Sequence, residues 1–137
     1  MHYCYFEAPA MLEILRCSER SLFIFSASKE EYQTLHEFGY ACGLEEYKWN
    51  KNRLQELGGT FTIPWEIYQK QFSPCSVLPP IFIEKQAFCV SGLETKPALV
   101  VEENILSAMA FDDEWNSVFI IAELAESYLG YWWQTSA

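Results

Sequence analysis

The sequence predicts a single α+β domain, in which a mostly antiparallel sheet carries two to four helices and ends in a β-hairpin. Three observations support this prediction. The chain has 137 residues, enough for one continuous core but not for two full domains. Half of its residues are apolar and a fifth are charged, a balance typical of a folded globular protein. Two β-rich segments, 118–124 and 128–135, follow each other at the end of the chain. We therefore treat residues 1–137 as one globular domain.

The first part of the chain alternates strand and helix signals. The aromatic residues of the segment 2–6 predict a short strand, and Pro9 fits the first turn of a helix that ends near Ser18. Four consecutive large apolar residues within 21–27 predict a central strand buried on both faces.

A capping box gives the strongest local signal. Ser28 is followed three residues later by Glu31, and each side chain can satisfy a free backbone N–H of the other residue. A helix is predicted to begin there and to end at Gly43 in a left-handed conformation. One face of this helix is predicted to carry Tyr32, Leu35, Gly39 and Cys42.

The middle of the chain predicts shorter elements. Good helix formers in 45–57, closed by Gly58 and Gly59, predict a second helix. Residues 61–63 predict a brief strand, Pro64 can start a further helix over 65–72, and 73–80 is the most loop-like stretch.

The last third of the chain is predicted to be rich in strands. Candidate strands cover 81–84 and 87–90, and 97–109 is interpreted as a strand, a turn and another strand. Residues 125–127 are polar or small and connect 118–124 to 128–135 as a hairpin. Helices are expected on one face of the sheet, with both faces of the hairpin at least partly covered.

The charge of the chain restricts its partners. Nineteen acidic and nine basic residues give a net charge of -10, and residues 97–137 hold no Lys or Arg. Such a field repels nucleic acid and anionic membrane surfaces, so neither is expected as a partner. The same charge keeps a small domain soluble, and it also speeds encounter with a basic protein.

Cysteine usage and hydropathy predict a cytoplasmic protein. The five cysteines are widely spaced and form no CxxC pair, which suits reduced thiols. The sequence shows neither a signal peptide nor an apolar run of about 20 residues. His2 and Cys4 are too few for a zinc site, so neither a metal nor a cofactor is expected.

Common catalytic signatures are absent from the sequence: it contains no GxGxxG, GxxxxGK, GxSxG or HExxH. His36 is interpreted as a helix-surface residue, since no nucleophile can be assigned to it. Adjacent acids, such as Asp112 and Asp113, usually point in different directions and are interpreted as solvated. A small carboxylate-dependent hydrolase remains an alternative.

One segment predicts a surface for a partner. Residues 111–116 read FDDEWN, in which three acids directly precede a tryptophan. Aromatic rings supply contact area, and acids complement a basic protein. The predicted contacts are Phe111, Asp112, Asp113, Glu114, Trp115, Glu123 and Glu126. A loop plugged by a buried Trp115 explains the same segment equally well.

Aromatic residues also crowd the last predicted strand. Alternation along a strand points Tyr131 and Trp133 away from Tyr128 and Trp132. If helices cover only one face of the sheet, some of these rings remain available to a partner.

The ending of the chain, with FDDEWN before a hairpin and YWWQTSA at the close, resembles the C-terminal region of small immunity proteins of bacterial contact-dependent inhibition and related polymorphic toxin systems. The resemblance covers about a fifth of the chain. It implies a non-enzymatic protein that stays in the producing cell and blocks a cognate toxin domain, often a nuclease. A phage-type inhibitor or adaptor is the alternative within the same broad class. The oligomeric state is left open.

Overall fold

The computed structural model of the chain describes residues 1–7, 20–72, 76–77, 105–114 and 117–135. The helix predicted after Pro9 and the strands predicted over 81–84 and 87–90 lie outside the described residues, as do residues 97–104. The strands are β1 (His2–Glu7), β2 (Arg20–Ser28), β3 (Ser76–Val77), β4 (Ser107–Glu114), β5 (Ser117–Glu123) and β6 (Ser127–Thr135).

These strands form one antiparallel sheet in the order β1-β2-β6-β5-β4-β3. The α+β class and the antiparallel sheet are therefore confirmed. The predicted C-terminal hairpin is also confirmed, although Ser127 begins β6 instead of lying in the turn. The turn is closed by the Leu124 N–H, which donates to the Ser127 carbonyl at 2.8 Å. β2 has a partner strand on each side, as its continuous apolar run predicts.

The described part of the chain contains two α-helices, α1 (Leu35–Glu56) and α2 (Trp65–Tyr68), and α2 runs on into a 3-10 helix, Gln69–Phe72. α2 starts directly after Pro64, as predicted. The short strand predicted over 61–63 is not formed; instead, the Ile63 carbonyl accepts a hydrogen bond from the Tyr47 hydroxyl at 2.6 Å. None of the helices in the described ranges combines the length and the apolar character needed to cross a membrane.

α1 is one continuous helix of 22 residues where the sequence predicted two. Gly43 lies inside it and does not end it. A Cβ atom at Gly43 would lie 2.6 Å from Cε2 of Phe72, so this glycine allows close packing. The predicted stop at Gly58 is confirmed, since this residue has φ +80 and its N–H donates to the Gln55 carbonyl at 3.0 Å.

The start of α1 lies after the predicted capping box. Glu31 does accept the Ser28 N–H, at 2.9 Å, but this bond closes a turn. The backbone there is tied to the hairpin, because the Lys29 N–H donates to the Glu126 carbonyl at 3.1 Å. Thr34 is the N-cap of α1, and its Oγ1 accepts the Glu37 N–H at 3.1 Å.

Buried side chains cover both faces of the sheet. The face under α1 contains Phe23, Phe25, Phe38, Cys42, Phe72, Phe111, Phe119, Ile121, Tyr128 and Trp132. The opposite face contains Leu22, Ala108, Ala110, Val118, Ile120, Ala122, Tyr131 and Trp133. The helices of the described ranges, α1, α2 and the 3-10 helix, contribute to the first face and not to the second.

Candidate partner-binding surface

The structure separates the predicted contact residues into two groups at opposite ends of the sheet. Residues 112–114 lie at the end of β4, where Glu114 pairs with Ser117. Glu123 lies at the other end of β5, where it pairs with Ser107. Six residue steps separate these two pairs, which corresponds to about 20 Å along a strand. The two groups therefore do not form one surface.

Phe111 belongs to the core and not to the surface. It lies where the β4–β5 register shifts between Ala110 and Asp112, and only 4% of it is exposed. Such irregularities re-aim side chains. Its ring centroid lies 5.0 Å from that of Phe119 and 5.8 Å from that of Phe72. The hypothesis that Phe111 contacts a partner is incompatible with this placement.

The other residues of the FDDEWN segment are described to different extents. Asp112 is half-buried. Asp113 and Glu114 are described by their backbone alone, as the last two residues of β4. Trp115 lies outside the described residues, so neither the predicted contact nor a plugged loop is tested there.

The rings of the last strand are buried on both faces. Exposure is 3% for Tyr128, 0% for Tyr131, 3% for Trp132 and 1% for Trp133. Trp132 stacks on Phe119 with centroids 4.2 Å apart and planes 2° from parallel. The expectation that some of these four rings remain available to a partner is wrong, because both faces of the sheet are packed.

Glu123 and Glu126 lie at the end of the sheet where β5 turns into β6. Glu123 is held by two donors: Lys29 Nζ lies 2.6 Å from its Oε2, and Ser107 Oγ donates to its Oε1 at 3.0 Å. The hydrogen bond from Lys29, followed by that from Ser107, lowers the pKa of this carboxyl. Glu126 is exposed in the turn.

A second acidic turn joins this end of the sheet. The bond from the Lys29 N–H to the Glu126 carbonyl places Glu30 and Glu31, both exposed, beside the β5–β6 turn. The N-terminal ammonium of Met1 bonds to Glu31 and is the main cause of its lowered pKa. We call the group Glu30, Glu31, Glu123 and Glu126 the acidic end of the sheet.

An exposed apolar side chain flanks the acidic end. Leu106 is 55% exposed, and its N–H donates to the Glu123 carbonyl at 2.8 Å. An apolar contact bordered by charged groups matches the composition of protein interfaces, with apolar centres and polar rims. Sequence reasoning did not identify Leu106, because a single leucine before a strand gives no signal of its exposure.

A shallow groove of about 440 Å³ lies on the helical side of the molecule, between β1 and the second half of α1. It is lined by Tyr3, Glu45, Lys48, Trp49, Asn52, Arg53 and Glu56. The Arg53 guanidinium lies over the Trp49 ring, 5.0 Å from its centroid.

The carboxylates of this groove are far apart. Glu45 and Glu56 are eleven positions apart on α1, which is about 16 Å along a helix axis. The two acids of a glycoside hydrolase lie at most about 10 Å apart. The groove therefore gives no support to a paired-carboxylate mechanism. Among the residues that the structure describes, no three His, Cys, Asp or Glu side chains are grouped so as to hold a metal ion.

A buried carboxyl was missed by sequence reasoning. Glu46 is 2% exposed and accepts hydrogen bonds from the Asn50 amide and the Tyr68 hydroxyl. Burial raises its pKa to about 7, although the bonds from Tyr68 and Asn50 act in the opposite direction. A signal was available, since Glu46 follows Gly39 by seven residues and Cys42 by four, the spacing of one helical face.

No family model matches the chain, and no significant match was found among curated proteins or solved structures.

Proposed function

We propose that this chain is a non-enzymatic immunity protein that binds a basic toxin domain, such as a nuclease, and masks its active site. The acidic end of the sheet is the contact surface in this proposal. The observation that carries it is the bond between the Lys29 N–H and the Glu126 carbonyl, which joins two acidic turns into one exposed surface. The net charge of -10 supports a basic partner.

The chemistry of the acidic end suits a nuclease as the partner. A nuclease site is lined with cations that hold phosphates, and exposed carboxylates can occupy the same positions through charge-assisted hydrogen bonds. Glu30 and Glu126 are exposed, while Leu106 offers an apolar contact next to them. Opposite charges speed the encounter of the two proteins, which matters for a protein that must stop a toxin quickly.

The toxin enters the cell that the immunity protein protects, so the proposal places this chain in the cytoplasm. The reduced cysteines expected from the sequence agree with that compartment. A phage-type inhibitor with the same acidic surface differs only in its target. The captured protein distinguishes the two: a toxin domain supports immunity, and a component of host defence supports the alternative.

The experiment begins with capture of the partner from the native host on the tagged chain. The captured protein is then expressed in a test strain, with and without this chain. We expect the partner alone to stop growth and the pair to grow normally. If the captured protein is harmless, or if the chain does not restore growth, the proposed function is wrong.

Charge reversal then locates the contact surface. Glu30→Lys with Glu126→Lys should slow association about 10- to 100-fold at low salt, because steering is lost. Glu56→Lys with Glu66→Lys makes the same change in net charge at exposed positions of the helical side and serves as the control. Stopped-flow association measures both. Equal slowing by the two pairs would show that net charge, and not the acidic end, governs binding.

A further inference from the structure

The segment formed by residues 65–72, which contains α2 and the 3-10 helix, is held against α1 at two points. The Tyr68 hydroxyl donates a hydrogen bond to the Glu46 carboxyl. The His36 ring donates through Nε2 to the Phe72 carbonyl at 3.1 Å. The Phe72 side chain is 1% exposed. Its ring packs against α1 at Gly43, where the absence of a side chain leaves room for it. We call residues 65–72 the α2 segment.

Glu46 is the buried acid at this contact. The groups that reach its carboxyl are Asn50 from α1 and Tyr68 from the α2 segment. Gln71 of the 3-10 helix bonds to Tyr68. Within the described residues, Glu46 forms no ion pair, and Lys48 lies 3.9 Å from Glu45 instead.

On α1 and the α2 segment, the charged side chains nearest to Glu46 in sequence are exposed or line the groove. Lys48 is exposed on α1, and Glu66 and Lys70 are exposed on the α2 segment, whereas Glu45 is half-buried at the groove. Among the residues that the structure describes, a charged Glu46 therefore has two hydrogen-bond donors and no cation in an ion pair to offset its loss of water. Its neutral form fits this environment better than its charged form.

We propose that Glu46 is a pH-sensitive latch: the neutral carboxyl holds the α2 segment on α1, and loss of its proton to water favours release of the segment. Opening admits water to the carboxylate, and this hydration stabilises the charge. The hydrogen bonds from Tyr68 and Asn50 oppose release, because both favour the charged carboxyl, but the loss of water on burial outweighs them. Tyr68 belongs to the segment that moves and Asn50 to the helix that stays, so opening breaks the bond from Tyr68. The latch does not depend on the proposed toxin partner.

The size of the effect follows from the pKa of the two states. The pKa of Glu46 is about 7 in the closed state and has its ordinary value of 4.5 in the open state. The equilibrium constant for opening therefore increases as the pH rises between these two values. Between about pH 6 and about pH 8 the increase is about tenfold. It reverses when the pH is lowered.

Amide hydrogen exchange of the folded protein measures this equilibrium. The N–H groups of Ile67 and Tyr68 both donate to the Pro64 carbonyl, at 3.1 Å and 3.0 Å, and report opening of the α2 segment. Their rates, divided by those of an unstructured peptide at the same pH, should rise about tenfold between about pH 6 and about pH 8. They should also exceed the rates of amides in the β5–β6 ladder, since local opening precedes global unfolding.

Three variants assign the effect to the latch. Glu46→Gln keeps a neutral side chain that can bond to both partners, and it should abolish the tenfold rise. Glu45→Gln, one residue away, should keep the rise, as should His36→Gln. If Glu46→Gln retains the rise, or if the segment exchanges only as fast as the β5–β6 ladder, the latch is refuted.

A further variant decides the question if Glu46→Gln does not fold. Tyr68→Phe removes a hydrogen bond that lowers the pKa of Glu46. The rise in exchange should therefore move to higher pH in this variant, on top of faster exchange at every pH. A rise that stays at the same pH would show that Glu46 is not the group that titrates.

Discussion

Replacing Gly39 with alanine tests whether Phe111 lies in the core or faces a partner. A Cβ atom at position 39 would lie 2.4 Å from Phe111 Cε2, 2.5 Å from Phe111 Cζ and 2.7 Å from Ile121 Cδ1. All three contacts are too short for carbon atoms, so the ring or the helix must move. The ring cannot easily move, because Phe72 and Phe119 pack against it.

The expected change in the free energy of unfolding of Gly39→Ala combines two opposite effects. Alanine in a helix interior gains about 1 kcal/mol over glycine from helix propensity. Overpacking of a well-packed core costs about 1–3 kcal/mol, and three short contacts favour the upper part of that range. We expect Gly39→Ala to lower the free energy of unfolding by about 1–2 kcal/mol.

Repeating Gly39→Ala in a protein that also carries Phe111→Leu isolates the role of Phe111. Phe111→Leu removes the two ring atoms that approach position 39 most closely. In that background the 2.7 Å contact with Ile121 Cδ1 remains, so Gly39→Ala should be close to neutral, which gives a coupling energy of about 1–2 kcal/mol. Urea unfolding followed by circular dichroism measures all four proteins. If the alanine has the same effect in both backgrounds, within about 0.5 kcal/mol, Phe111 does not lie against Gly39.

Two smaller predictions use the same unfolding measurement. Gly58 has φ +80 with no atom within 4 Å of a Cβ placed there, so Gly58→Ala should cost about 1–2 kcal/mol through backbone strain alone; no loss would contradict the left-handed helix end. Glu123→Gln should cost at most about 1 kcal/mol at neutral pH, because its pair with Lys29 is partly exposed. Since the folded state lowers the pKa of Glu123, its contribution is present above the ordinary pKa and disappears as the pH falls through the lowered value. A difference between wild type and Glu123→Gln that persists in acid would contradict this assignment.

The capping motif shows why helix starts are hard to predict from sequence. Both Ser28 with Glu31 and Thr34 with Glu37 have the spacing of a capping box. Local chemistry alone does not choose between them. The choice depends on a distant contact, because the bond from the Lys29 N–H to the Glu126 carbonyl commits the first motif to a turn beside the hairpin.

The continuous apolar run of β2 and the hairpin of β5 and β6 were predictable, because the pattern itself specifies burial and pairing. The role of Gly43 was not predictable, because the sequence does not distinguish a glycine that ends a helix from one that allows an aromatic ring to pack against the helix. Only the position of Phe72, contributed by a separate segment, distinguishes them. The same limit applies to Phe111, whose neighbours include His36 of α1 and Phe72 of the 3-10 helix.

The predicted contact surface failed to form one unit for a reason of topology. In an antiparallel meander, consecutive turns lie at opposite ends of the sheet. Residues 112–114 precede the turn into β5, and Glu123 and Glu126 adjoin the next turn, so a short distance in sequence becomes about 20 Å in space. A count of acids along the chain contains no information about this separation.

The net charge also overstates the number of carboxylates that a partner can contact. At the acidic end, Glu123 is paired with Lys29 and Glu31 with the N-terminal ammonium. Glu30 and Glu126 are exposed and form no ion pair with any residue that the structure describes. If binding uses this end, Glu30→Gln alone and Glu126→Gln alone should each slow association more than Asp112→Asn does, although each of the three changes removes one negative charge. The reverse order would move the contact to the end of the sheet where β4 leads into β5, which the sequence also predicted as a contact.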